Sequence, residues 1–296
     1  MDHRALIASI PAEAKDKLQE RSNSAGLRHL ALYVLALTAT SIGIIAQAPF
    51  WPLLILPQGT LLVFLFTLSH ECTHKTPFKS PWLNEVMGHL VAIPIALPFV
   101  WFRYFHLAHH KWTNHPDNDP ELGGKPKPDN WPSLLIYLSG WSYWHGMAQV
   151  LVQNARGQIK APYLPTRQHK AMRLEARVLL GLYAMALVSL FKSPVLWWLW
   201  LLPILVGQPF LRLYLLAEHG LCPPVANMLE NSRTTFTNRL IRFLAWNMPY
   251  HAEHHAFPNV PFHQLPALHR WTRAHLRSTS DGYSDFTSAY IRKVRN

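Results

Sequence analysis

The sequence predicts an all-α integral membrane protein with four transmembrane helices arranged as two hairpins. Three observations carry this expectation. Two pairs of apolar runs reach membrane length. Only 15% of the 296 residues are charged, against about 25% in an average soluble domain. The basic residues gather at one end of the apolar runs.

Residues 1–26 are polar and charged, with no apolar stretch of the kind found in cleaved signal peptides. Residues 27–47 are apolar for roughly 20 positions, about 30 Å as a helix, enough to cross a bilayer. Ala48, Pro49, Phe50, Trp51 and Pro52 read as a tight turn. Residues 53–69 run back, with Pro57 and Gly59 tolerated as in other membrane helices. Residues 174–191 and 195–217 form the second pair, joined by Lys192, Ser193 and Pro194. The remaining stretches, 70–173 and 218–296, are left outside the bilayer, and the chain 1–296 reads as one domain.

Two segments between the hairpins are aromatic and interrupted. Residues 82–101 are broken by Pro94 and Pro98, and 131–152 carry Trp131, Tyr137, Trp141, Tyr143 and Trp144. Both are expected to lie at the interface or to be partly re-entrant, since Trp and Tyr favour the headgroup level. Residues 115–130, rich in Pro, Asp, Gly and Lys, are expected to be a loop.

The net charge of +12 follows from topology. No Lys or Arg lies between the helices of the first hairpin, and only Lys192 between those of the second. Arg28, Lys75, Lys79, Arg103, Lys111, Arg167, Lys170, Arg173, Arg177 and Arg212 flank the other ends, with many more beyond Arg233. Under the positive-inside rule both termini are cytoplasmic. Nucleic acid is not needed to explain the charge, and no nucleic-acid motif is present. Cys72 and Cys222 are too few for a disulfide framework, a zinc ribbon or an iron–sulfur cluster. Helical spacing turns Cys72 away from its histidine neighbours and gives it a packing role.

The 18 His outnumber the 16 Asp and Glu. His70 and His74 sit at i and i+4 after the first hairpin and share a helix face. His106, His109 and His110 form an HxxHH cluster, and His251, His254 and His255 repeat it. His219 follows the second hairpin. The topology places all nine at the same membrane face. Imidazole is the usual neutral ligand of transition metals. Three clusters with His219 exceed what one tetrahedral or octahedral ion needs, so two metals are expected. Imidazoles with few carboxylates suit iron rather than magnesium or calcium. A competing reading exists: His70, Glu71 and His74 match the HExxH motif of zinc metalloproteases. An intramembrane protease would leave both HxxHH clusters unexplained. Metal analysis separates the two, one zinc against two irons.

The three boxes resemble those of the membrane fatty-acid desaturase superfamily, which also holds alkane hydroxylases and carotenoid hydroxylases and ketolases. Residues 113–120, with Asp117 and Asp119, are similar to an Asp-rich stretch after the second box of many desaturases. His254, His255 and Pro258 resemble the HHxxP of the third box. Glu218 with His219 resembles the element that supplies an extra ligand in alkane hydroxylases. The resemblance spans roughly residues 27–266. It implies a four-helix stem under a cytosolic helical cap that holds a di-iron centre. The implied ligands are His70, His74, His106, His109, His110, His219, His251, His254 and His255. Many acyl-CoA desaturases have HxxxxH in the first box where this chain has HxxxH, so regiochemistry does not transfer.

What the resemblance implies is oxidation of an unactivated C–H bond in a fatty-acyl or lipid-like chain, using O2 and two electrons. The Asp-rich stretch favours desaturation; Glu218 with His219 keeps hydroxylation as the alternative. No electron-carrier domain is evident, so a separate ferredoxin, rubredoxin or cytochrome is the expected donor, and the basic cap suits an acidic one. The expected place is a bacterial inner membrane. Glu71, Glu218, Glu253, Asp117 and Asp119 are candidates for orienting ligand imidazoles. Salt bridging and Asx turns are their plainer roles. His115 reads as a loop residue beside the ligands. His89, His145, His263, His269 and His275 lack box spacing and receive no role.

Overall fold

The computed structural model describes residues 1–123 and 127–295, and they are mostly helical. Two short helices, α1 (His3–Ser9) and α2 (Ala12–Leu18), precede the long α3 (Asn23–Ile45). Ser22 starts α3: its backbone is extended and its hydroxyl accepts the Ala25 N–H, a favoured cap. The turn after α3 uses left-handed backbone at Gln47 and Phe50. A 3-10 turn (Trp51–Leu54) then leads into α4 (Ile55–His74). Next come α5 (Pro81–Ala92) and α6 (Phe99–Trp112), bent 98° from one another. Pro94 and Pro98 lie in that break, which explains it: proline cannot continue the helical ladder.

Helices α7 (Trp131–Leu138) and α8 (Trp141–Arg156) meet at Gly140, whose φ of 74° suits glycine. Helix α9 (His169–Ser189) follows, then a π-helical turn (Trp197–Leu201) that continues into α10 (Leu202–His219). The remainder is built of short pieces: α11 (Met228–Asn231), β1 (Thr234–Thr235), α12 (Arg239–Leu244), α13 (His251–Ala256), α14 (Leu265–Thr272), β2 (Thr279–Ser280) and α15 (Tyr283–Arg295). β1 and β2 pair in parallel.

Among the described residues, three helical stretches are long and apolar enough to cross a bilayer: Ala12–Ile45, Trp51–His74 and Trp197–His219. The bent pair α5–α6 adds a fourth if it counts as one span. Helix α9 covers most of the expected 174–191 run but is not in this set. Its first half carries Arg173, Glu175 and Arg177. Glu175 turns inward, accepts the Phe99 and Val100 N–H groups and stands 2.8 Å from His89 Nδ1. Glu175 therefore caps the α6 N-terminus, while Leu174 and Val178 in the same half of α9 stay exposed. The second half exposes Met185, Leu187 and Val188, and α3 likewise exposes Leu32, Leu35 and Ile42. Exposed apolar surface on this scale marks contact with another apolar phase.

Helix α4 is buried along most of its length and on every side, the signature of a central helix. It packs most closely on α10. A Cβ at Gly59 would lie 2.0 Å from the Pro203 carbonyl oxygen, and one at Gly207 would lie 2.4 Å from the Gly59 carbonyl carbon. Only glycine lets these two backbones touch, the small-residue contact typical of membrane helices.

The 82–101 segment covers α5, the bend and the first three residues of α6. Residues 131–152 form α7 and α8, with Trp131 and Trp141 exposed. The expected 115–130 loop is turns and coil where it is described; residues 124–126 of it lie outside the described residues.

Candidate metal centre

Four elements deliver the nine histidines to one place. His70 and His74 end α4, His219 ends α10, and α6 and α13 bring one HxxHH cluster each. The side-chain nitrogens form two groups. His70, His74, His106, His110 and His254 make one, and His109, His219, His251 and His255 the other; within each, the possible ligand atoms lie within 4.8 Å of one another. Each HxxHH box is divided. In α6 the i and i+4 histidines join the five-membered group and the i+3 histidine crosses to the other. In α13 the assignment is reversed. Residues i and i+4 on a helix are about 40° apart, while i+3 lies about 100° from i+4, so one short helix can serve two centres.

The Nε2 atoms converge. His70 and His254 approach to 2.8 Å, His74 and His106 to 2.8 Å, His109 and His219 to 3.1 Å, and His251 and His219 to 2.9 Å. His110 and His255 stack face to face at 4.0 Å, one ring from each group. Their Nε2 atoms are buried without a hydrogen-bond partner among the described residues. Buried polar atoms are nearly always partnered, and a set of imidazole nitrogens aimed at common points fits two cations.

The opposite ring nitrogens meet the protein. His109 Nδ1 is 2.9 Å from Asp119 Oδ1, and His255 Nδ1 is 3.1 Å from Thr113 Oγ1. His219 Nδ1 is 3.3 Å from the Asn231 carbonyl. His251 Nδ1 stands 3.2 Å from Glu218 Oε1 and His254 Nδ1 stands 3.6 Å from Glu71 Oε1, close approaches rather than aligned hydrogen bonds. An acceptor at Nδ1 keeps the proton there and leaves Nε2 free to bind a cation. Burial, followed by neighbouring imidazoles, pushes His251, His254 and His255 well below the usual histidine range. That favours the neutral form, which a metal ligand requires.

The carboxylates divide by geometry. Glu71, Asp119 and Glu218 each face a histidine of the groups. Glu253 does not, although it sits between His251 and His254. It accepts from Thr234 Oγ1 and Thr272 Oγ1 and pairs with His269 Nδ1 at 2.5 Å, holding α13 on β1 and α14. Asp117 is exposed and pairs with none of the nine; its N–H meets His115 Nδ1. His115 is exposed and meets the Trp112 ring edge-on. His89, His145, His263 and His275 stay outside both groups. Cys72 is buried in the core, the packing role expected of it. Glu71 Oε2 accepts from Thr76 Oγ1 and the Phe262 N–H. It is turned away from the centre that His70 and His74 share, so it is not placed as the general base of an HExxH protease.

Sequence reasoning missed His269, Thr113, Asn231 and Arg233. Arg233 is buried and donates to the Ala217, Gly220 and Thr279 carbonyls and to Ser280 Oγ, tying the His219 end of α10 to β2. None of these lies at a spacing that marks it. Replacing Asp119 by asparagine is expected to weaken metal retention by about 10–100-fold. Titration with a chelator, followed by metal analysis, checks this.

A family model described as fatty acid desaturase matches residues 18–287. An sn-1 acyl-lipid omega-3 desaturase (ferredoxin) of Nostoc is 35% identical over 114 residues, 38% of this chain and 31% of that protein. An sn-1 oleoyl-lipid 12-desaturase of Arthrospira platensis is 24% identical over 242 residues, 75% of this chain and 68% of that one. An sn-2 acyl-lipid omega-3 desaturase (ferredoxin) of Arabidopsis thaliana chloroplasts is 37% identical over 114 residues, 38% of this chain and 25% of that one. The aligned part is thus about a third or less of two of these relatives and about two thirds of the other.

Proposed function

Because the chain belongs to the fatty acid desaturase family, we propose that it inserts double bonds into the fatty-acyl chains of membrane lipids, using O2 and two electrons. The observation that carries this reading is the pair of adjacent all-histidine groups, five and four, at the ends of apolar helices. In it, His70, His74, His106, His110 and His254 hold one iron and His109, His219, His251 and His255 the second. Bound there, the iron pair supplies the activation of O2 needed to remove hydrogen from an unactivated C–H bond.

The chain's own residues do the rest. Asp119, Glu218 and Glu71 orient imidazoles of the two groups. Seven of the nine histidines are buried and His74 and His110 half-buried, which limits bulk water at the reacting chain. In the membrane, 27–69 and 174–217 form two hairpins, with a cytosolic cap from 70–173 and 218–296 and both termini in the cytoplasm of a bacterial cell. The chain acts as a single desaturase-like domain in the inner membrane. Residues 174–191, mostly α9, form the fourth span. Electrons come from a separate carrier. The names of the Nostoc and Arabidopsis relatives favour a ferredoxin over a rubredoxin or a cytochrome.

The test is expression in a host with simple lipids, followed by mass spectrometry of total lipids. Desaturation yields acyl chains lighter by two hydrogens. Chains heavier by one oxygen would establish the hydroxylase alternative, which the placement of His219 in the four-membered group keeps in view. Unchanged product from the His109→Ala and His254→Ala variants would refute the iron assignment.

A further inference from the structure

The segment 254–280 holds three arginines and no acidic residue. All three, Arg270, Arg273 and Arg277, are exposed, with Trp271 among them at 42% exposure. They occupy the outer side of α14 and the turn that follows. The inner side is Leu265, Leu268 and Thr272, all buried. Thr272 and His269 are the two α14 side chains that hold Glu253, and Glu253 lies between His251 of one group and His254 of the other.

On its inner side α14 reaches α13, the helix that carries His251, His254 and His255, through His269, Thr272 and Glu253. His269 is 15% exposed and touches Glu253, which is fully buried. A second short route to the surface runs through His109, Asp119 and Glu121. That route opens on Asp117 and Glu121, which are acidic and exposed. Among the described residues, the exposed charged side chains at α14 are basic and those where the second route opens are acidic, so the α14 face is the better match for a negative partner. Arginine and tryptophan are also the side chains that most often dominate protein–protein contacts.

We propose that the outer face of α14, with Arg270, Trp271, Arg273 and Arg277, is the docking surface for an acidic one-electron carrier protein. The inference rests on the oxidase reading and names the partner surface of that site. Each docking passes one electron: the carrier is oxidised by one, the metal pair is reduced by one, and no bond or proton is exchanged at this surface. Two dockings supply one turnover. Opposite charges steer such an encounter, so its rate falls with ionic strength.

The probe is a [2Fe–2S] ferredoxin, titrated onto the full-length protein in phosphatidylcholine nanodiscs. Binding is read directly, so a protein that bound ferredoxin here yet left lipids unchanged would refute the proposed activity and not this surface. The Arg270→Glu, Arg273→Glu double variant is expected to raise Kd by at least about tenfold, and Arg270→Lys, Arg273→Lys to restore most of the affinity. Arg292→Glu, Lys293→Glu on α15 changes the net charge equally and is expected to shift Kd by less than about twofold. Melting temperature and metal content report that each variant is folded. Unchanged affinity in the α14 variant, or equal loss in the α15 variant, overturns the proposal. So does an α14 variant that keeps ferredoxin but loses binding to phosphatidylserine vesicles, which would make this face a membrane contact.

Discussion

On the proposed two-iron reading, replacing His251 by alanine is expected to lower the iron content from two ions per chain to about one and to abolish lipid oxidation. His251 belongs to the group of four, with its Nε2 2.9 Å from that of His219. Its loss leaves three imidazoles there. The same substitution at His110 leaves four in the other group, enough for a nitrogen-ligated ion. The two variants should therefore differ: His251→Ala loses one ion, and His110→Ala keeps two with weaker hold. Activity in His251→Ala should fall by more than about 100-fold, beyond the roughly 10–100-fold effect of removing an outer partner. His145→Ala is the control, since His145 is exposed and in neither group. Iron analysis of the three purified variants decides it. Two irons retained in His251→Ala would show that the groups do not act as separate sites.

Gly207→Leu is expected to be the most damaging substitution away from the histidines. Overpacking a core costs about 1–3 kcal/mol when side chains can shift. At Gly207 the first added atom already meets the Gly59 backbone at 2.4 Å, and backbone cannot rotate away. The cost should reach the top of that range or pass it. The damage should also travel. His219 lies twelve residues further along α10, about 18 Å of helix, so separating α10 from α4 draws His219 away from His109 and His251. A lowered melting temperature in detergent together with loss of one iron is the expected result. Gly181→Leu on α9, where nothing lies within 4 Å of an added Cβ, should change neither. Equal melting of the Gly207 and Gly181 variants would remove the argument.

Much of this molecule is legible without coordinates because the signals are local. Hydropathy marks α3, α4 and α10, since a span must be apolar along its own length. Pro94 and Pro98 mark the break between α5 and α6. The histidine boxes announce themselves by helical spacing. The same locality explains the shortfall at α9. Its run is apolar from Val178 onward, but Glu175 is turned inward by the α6 N-terminus, a partner 75 residues away in sequence. Asp119 and Asp117 are alike in sequence; only the path of the turn puts one on His109 and leaves the other exposed.

The sequence alone determined that nine histidines would gather at one end of an apolar helical bundle, because composition, hydropathy and spacing are properties of single segments. The tertiary structure alone decided that they gather as five and four, that His109 leaves its own box to join His219, and that His269 rather than a box neighbour holds Glu253. Those outcomes depend on which face of each helix meets which. That is set by contacts such as Gly59 against Gly207, where two distant segments must fit, and no spacing within either segment encodes the fit.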